Sequence, residues 1–383
     1  MKQNETPFYA RLAYVLISIV ILGYLAILGK EILAPLFFAF LFAILLLPLA
    51  NFLERKLRFP RTFSTLTSLI LLIAGGYFVI NILISQLASL SSEWPALQQN
   101  VGKTINNLQT WIKHTFKVNP QNQIAYLQKA AADMFSSSAS IVGDTVMSVS
   151  SIILFNVFTL IYTFFLLMYR RLLFRFIVTV FPKEHTSVVY DITEQVKYII
   201  GKYVVGLFWE MCIVIAIGFG TYTILGVDYA LLLALLAGIL NLIPYVGIFT
   251  ALVLSALITF ATDGPQQTLY VIIATICIHL IDSNVIMPKV VGSKVRINPL
   301  IIILGVITGE MMWGISGMFF SIPIIAMMKV IFDRVEGLTP WGILLGDEEY
   351  PPKKVLKLKR KIKAVEAEKG APPEPEDAKL KNL

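Results

Sequence analysis

The stretch YALLLALLAGILNLIPYVGIFTALVLSALITF, from Tyr229 to Phe260, decides the fold. As one straight helix it would run about 48 Å, well beyond a hydrocarbon core about 30 Å thick. Near its middle stand Pro244 and Gly247, both of which disfavour an unbroken helix. A run too long to cross once and interrupted at its centre is expected to fold as a re-entrant helical hairpin that returns to its starting side.

Seven further apolar runs flank it: Leu12 to Gly29, Glu31 to Phe52, Thr62 to Leu90, Val146 to Met168, Val204 to Leu225, Thr268 to Met287 and Pro299 to Phe332. Over 383 residues, 57% are apolar and 15% charged, and mean hydropathy is +0.75. Soluble domains average roughly a quarter charged, so the bilayer is the expected solvent. Helices fit better than a barrel, whose strands would show alternating polarity over about ten residues, a pattern these runs lack. The first run lies behind Lys2 and Arg11 like a secretory signal, but a second apolar run follows at once, so it is read as a retained span. Cys212 and Cys277 have no metal-ligand spacing and are expected to be small buried hydrophobes. The net charge of +8 clusters beside the apolar runs, which argues for membrane topology and against a nucleic-acid partner.

Arg55, Lys56, Arg58 and Arg61 follow the second run, and Arg170, Arg171 and Arg175 follow the fourth. Both sites, and the N-terminus, are therefore expected in the cytoplasm. Residues 91–145 form an extracytoplasmic insertion in which Leu97, Val101, Ile105, Leu108 and Ile112 predict an amphipathic helix. Residues 171–203 form a cytoplasmic helical linker, with Val188, Ile192, Val196 and Ile199 on one helical face. Residues 1–346 make up the permease domain, and 347–383 a charged cytoplasmic tail whose lysines can attract anionic lipid.

Simple crossings would put Lys289, Lys294 and Arg296 outside while the tail stayed inside, against the positive-inside rule. The conflict disappears if Pro299 to Phe332, interrupted by Gly309, Gly314 and Gly317, is a second re-entrant hairpin. Shifted by about 70 residues, Pro244 falls on Gly314, Gly247 on Gly317 and Phe249 on Phe319. Two hairpins entering from opposite sides fit an inverted repeat, whose paired breaks mark binding sites in transporters. The expected fold class is all-α: a polytopic helical membrane protein of about eight embedded segments, two of them re-entrant.

Asn241-Leu-Ile-Pro-Tyr-Val-Gly247, Asp282-Ser-Asn-Val-Ile-Met-Pro288, Val291-Gly292, Asn298-Pro299 and Trp313-Gly-Ile-Ser-Gly317 with Pro323 resemble, in order and spacing, the autoinducer-2 exporter family of permeases. Gly201 and Leu225-Gly-Val-Asp-Tyr-Ala230 extend the resemblance. It implies an oligomeric permease of the bacterial inner membrane. Within that family, export of autoinducer-2 and exchange of sodium or lithium for protons are both associated activities. Glu310 departs from the small or apolar residue that the family pattern has there.

The candidate pathway residues are Asn241, Pro244, Gly247, Asp282, Asn284, Glu310, Gly314, Ser316 and Gly317, with Glu210 and His279 ranked below them. A carboxylate inside an apolar run is costly and so marks function, unless Asp282 merely pairs with Lys289 or Lys294 at the interface. Glu310 stands where the second hairpin turns and would serve a hydrated cavity there. Broken backbone at Pro244, Gly247, Gly314 and Gly317 frees polar groups, and Asn241 and Ser316 add neutral ones suited to a polyhydroxylated solute. Gly314-Ile-Ser-Gly317 mimics a rhomboid-protease nucleophile, yet His114, His185 and His279 all precede it. Zinc-protease and phosphate-loop motifs are lacking, so no enzyme activity, metal, cofactor or ATP step is expected. The reading is a secondary permease for a small solute. A sodium- or lithium/proton antiporter using Asp282, Glu310 or both is the alternative, and a non-transporting scaffold the second.

Overall fold

The computed structural model describes residues 7–92, 102, 151–290 and 297–346. The amphipathic helix expected at Leu97 to Ile112 and the basic tail lie outside these residues. Among the described residues the chain is helical, with one isolated β-bridge and no strand. The helices are α1 (Phe8–Leu28), α2 (Lys30–Arg55), α3 (Arg61–Ser92), α4 (Ser151–Met168), α5 (Arg170–Val180) and α6 (Thr186–Ile224). After them come α7 (Ala230–Leu240), α8 (Val246–Thr262), α9 (Pro265–Val290, with a π-helical turn at Asp282–Ile286), α10 (Pro299–Trp313), α11 (Ile315–Phe332) and α12 (Thr339–Leu345). Six of the described helices are long and apolar enough to cross a membrane.

Without water at depth, each helix must satisfy its own polar groups. Ser68, Thr159, Thr163 and Thr275 do so by donating to the carbonyl four residues back. At the start of α10, Asn298 accepts from the Leu300 amide while Pro299 occupies the first helical position.

The predicted linker helix and the fifth span are one continuous helix, α6, of 39 residues and about 58 Å. Its first half joins a cluster with α2, α10 and α11 built on Leu41, Ile200, Val204, Phe320, Ile325 and Val330. Ile192, Val196 and Ile199 face that cluster, as their spacing predicts. Its second half joins α7 and α9 around Val214, Tyr222, Leu233, Val271 and Ile278.

The two long interrupted runs are both hairpins, and hydrogen bonds close the mouth of each. In the first, the Asp228 amide donates to Asp263 Oδ1 at 3.3 Å and Gln267 Nε2 to the Leu225 carbonyl at 3.1 Å, joining entry to exit just beyond the C-terminal end of α6. In the second, Ile297 and Gly346 form an antiparallel bridge, and the Asn298 amide donates to the Leu345 carbonyl at 3.0 Å. Arg334, past the end of α11, donates to Asp191 near the start of α6. The hairpins therefore open at opposite ends of α6. The basic corners agree with this frame: Arg170 Nη2 contacts both oxygens of Glu54 at 2.7 Å, so the α2 and α4 ends lie together.

The two tips share a construction. Each second helix starts from a residue in the left-handed region, Tyr245 at φ 61° and Gly314 at φ 66°. Each carries a glycine in its first turn on which a Cβ would overlap backbone of the preceding helix. Gly247 rests on the Leu240 carbonyl and Gly317 on the Gly309 carbonyl. The 70-residue echo thus corresponds to a shared close approach. The cysteines correct their expectation, since Cys212 is only half-buried and Cys277 is exposed on the outer face of α9.

Two outcomes test this packing. In a background with Cys212 and Cys277 replaced, Ile297→Cys with Gly346→Cys should cross-link within one chain on mild oxidation, because a bridged pair places its Cα atoms about 4.5–5.5 Å apart. No intrachain disulfide by mass spectrometry would contradict the closed mouth. Gly317→Ala should lower thermal stability in detergent by about 1–3 kcal/mol through overpacking. Gly75→Ala, whose Cβ meets nothing within 4 Å, should stay within about 1 kcal/mol of the parent.

Candidate functional site

Three elements converge where the first hairpin turns. Glu210 projects from α6, roughly 21 Å short of Ile224. Asn241 caps the C-terminal end of α7, where Pro244 prevents the helix from continuing. Asp282 opens the π turn of α9, whose i to i+5 bond runs from the Met287 amide to the Asp282 carbonyl. Single π turns recur at functional sites because the extra residue re-aims side chains. Here Asp282 is turned inward, and Ser283 and Asn284 outward.

Asn241 Nδ2 donates to Asp282 Oδ2 at 2.9 Å and to Glu210 Oε1 at 3.3 Å, spending both amide hydrogens. Glu210 is 5% exposed and Asp282 4%. Among the described residues, Glu210 Oε2, Asp282 Oδ1 and His279 Nδ1 are buried without a hydrogen-bond partner. Asp282, Asn241 and His279 line a cavity of about 20 Å³ together with Tyr222, Thr275 and Ile248. That is room for about one water or one desolvated ion. At its far end Thr275 Oγ1 donates to the Val271 carbonyl, so the 2.9 Å contact with Tyr222 is made by the tyrosine hydroxyl donating.

The arrangement holds two carboxyl groups on one neutral amide, with one acceptor oxygen left over on each. Oxygens so arranged have the chemistry to accept a proton or a small cation. No group of three or more His, Cys, Asp or Glu side chains suited to a metal ion occurs among the described residues.

Of the residues singled out in the sequence, Asn241, Asp282, His279 and Glu210 come together. Glu210, which next to Trp209 reads as interfacial in the sequence, lies 24 residues into α6 and is buried against Asn241. The interfacial pairing of Asp282 with Lys289 is not formed, since Lys289 is exposed and Asp282 accepts from Asn241. Pro244 and Gly247 shape the turn and do not line the cavity. Asn284 is exposed and donates back to the Leu280 carbonyl of its own helix. Glu310 is exposed on α10. Gly314, Ser316 and Gly317 sit at the other tip. There Trp313 Nε1 donates to the Ala26 carbonyl at 2.9 Å and the Trp313 ring lies 5.4 Å from that of Phe37.

Tyr222 and Thr275 were not singled out in the sequence. Thr275 had a visible signal, because Thr275, His279 and Asp282 fall at i, i+4 and i+7, on one helical face. Tyr222 had none, since its role depends on α6 and α9 lying side by side.

The relatives point to transport. YueF of Bacillus subtilis strain 168 is 27% identical over 301 residues, covering 74% of this chain and 79% of its own. YrrI of the same organism is 26% identical over 312 residues, covering 79% and 86%. A Thermotoga maritima protein is 24% identical over 334 residues, covering 86% and 95%. Each carries a provisional name as a transport protein. A family model described as AI-2E family transporter matches residues 16–337, and with its apolar helices and paired hairpins this chain belongs to that family of multi-pass membrane transporters.

Proposed function

We propose that the protein is a secondary permease of the bacterial cytoplasmic membrane whose transport is coupled to a proton or monovalent cation bound between Asp282, Glu210 and Asn241. The observation that carries this reading is the pair of buried carboxyl groups sharing one amide, with an unpartnered oxygen on each and an ion-sized cavity lined by Asp282 and Asn241. One charged side chain at depth costs about 2.5–3.5 kcal/mol on insertion scales, and two together cost more unless a cation or proton joins them. Ion and proton then compete for the same oxygens, and competition at one site is the minimal device for exchange.

Export of a small solute such as autoinducer-2 has weaker support. Solute pockets measure about 300–1,000 Å³, far above the cavity at the first tip. Orientation follows the basic corners: the Arg55 to Arg58 and Arg170 to Arg175 ends lie in the cytoplasm with both chain termini. The second hairpin then opens to the cytoplasm and the first to the outside. A non-transporting scaffold has no use for buried, half-satisfied carboxylates.

Proteoliposomes containing a pH-sensitive dye provide the test. Adding sodium or lithium should drive proton flux. Asp282→Asn and Glu210→Gln should each raise the half-saturating cation concentration about 10- to 100-fold, the loss of a charge-assisted contact of about 1.5–3 kcal/mol. No cation-driven proton flux with sodium, lithium or potassium would overturn the coupling. Glu310→Gln should leave the flux within about twofold of the parent, because Glu310 is exposed and away from the site. Proton competition also sets a sign for pH. Each unit of increase should lower the half-saturating cation concentration by up to about tenfold while the proton still occupies the site.

A further inference from the structure

A second recess, of about 430 Å³, lies between α2 and α6. Ile44, Leu47 and Pro48 form one wall, and Glu194, Lys197, Tyr198, Gly201, Lys202 and Val205 are on the other, so two lysines and one carboxylate line it. It is separate from the carboxylate site: Val205 and Glu210 are five residues apart on one helix, which turns their side chains about 140° from each other. The recess faces α2, whereas Glu210 faces α7 and α9.

Its chemistry is mixed in a particular way. Pro48 has no amide hydrogen, so the Ile44 carbonyl four residues back lacks its usual helical donor. Gly201 leaves that wall open, since a Cβ there would meet only Ile44, at 3.6 Å. Opposite are two ammonium groups. Lys197 contacts Glu194 at a loose 3.4 Å, and Lys202 has no carboxylate partner among the described residues. The excess charge is positive. Along α6 the recess runs from Glu194 to Val205, starting about one turn past Asp191, which pairs with Arg334. Pro48 and Lys197 are the parts of the recess nearer the ends of α2 and α6 proposed to be cytoplasmic, and Ile44 is deeper along α2.

We infer that this recess binds the headgroup of an anionic phospholipid, its phosphate at Lys197 and Lys202 and its acyl chains along Ile44 and Leu47. Basic pockets between helices at the cytoplasmic interface suit such headgroups, and 430 Å³ falls within the range of small-molecule sites. The occupant would fix the distance between α2 and the half of α6 that supports the second hairpin.

The full chain in neutral detergent is titrated with phosphatidylglycerol, with phosphatidylcholine of the same acyl chains, and with inorganic phosphate, following thermal unfolding and lipid retention by native mass spectrometry. Phosphatidylglycerol should be retained and should raise the unfolding temperature, whereas phosphatidylcholine and phosphate should do neither. Lys197→Gln with Lys202→Gln should weaken phosphatidylglycerol retention about 25-fold, about fivefold per lysine. Gly201→Leu, which fills the recess and keeps both charges, should abolish retention. Lys56→Gln with Lys183→Gln, exposed lysines elsewhere on the basic end, should leave it intact. Equal retention of the two lipids, an unaffected Lys197/Lys202 variant, or equal losses in the two lysine pairs would each overturn the inference. Stabilisation by phosphate alone would replace the lipid with a free anion.

Discussion

A backbone that leaves its helix inside a membrane must find partners within the protein, and this constraint governs the whole architecture. The chain breaks helices at two places at depth, and at each break another piece of backbone lies against it. Gly317 rests on the Gly309 carbonyl and Gly247 on the Leu240 carbonyl. Any side chain larger than hydrogen at Gly247 or Gly317 would separate the two arms and expose unpaired amides and carbonyls to lipid. Closed mouths and the continuous α6 follow from the same need, because a hairpin broken at its tip has to be held by a helix that is not broken.

The two hairpins share geometry but not chemistry. The second tip is packed into an aromatic cluster in which Phe38 and Phe320 lie 4.5 Å apart edge to face, and Trp313 reaches back to the end of α1. The first tip places an asparagine between two carboxylic acids. Similar folding devices thus anchor one half of the molecule and equip the other. Because α6 contributes to both hydrophobic clusters, a shift of the first hairpin upon ion binding would be felt along the helix that supports the second.

Much of the fold was legible in particular residues. Run length and composition identified the solvent, and Pro244 and Gly317 marked the breaks. The disagreement between Lys289, Lys294 and Arg296 and the basic tail required a second hairpin, which the Ile297 to Gly346 bridge closes. The site was less legible. Asp282 stood out as a charge in an apolar run, but Glu210 beside Trp209 looked interfacial, and Glu310 and Asn284 gave the same kind of signal as Asp282 although both are exposed. Nothing local separates a carboxylate that meets an asparagine 41 residues away from one that faces outward.

The sequence by itself therefore determined what is local or additive: apolar length, charge asymmetry, and the residues that cannot continue a helix. Tertiary structure alone decided which polar groups meet. The contact of Asn241 with both Glu210 and Asp282 depends on how far α6 extends, where α7 stops and how the π turn rotates α9. Helix rotation and register are set by packing between segments distant in the chain, so one turn of difference would have left these side chains facing apolar neighbours.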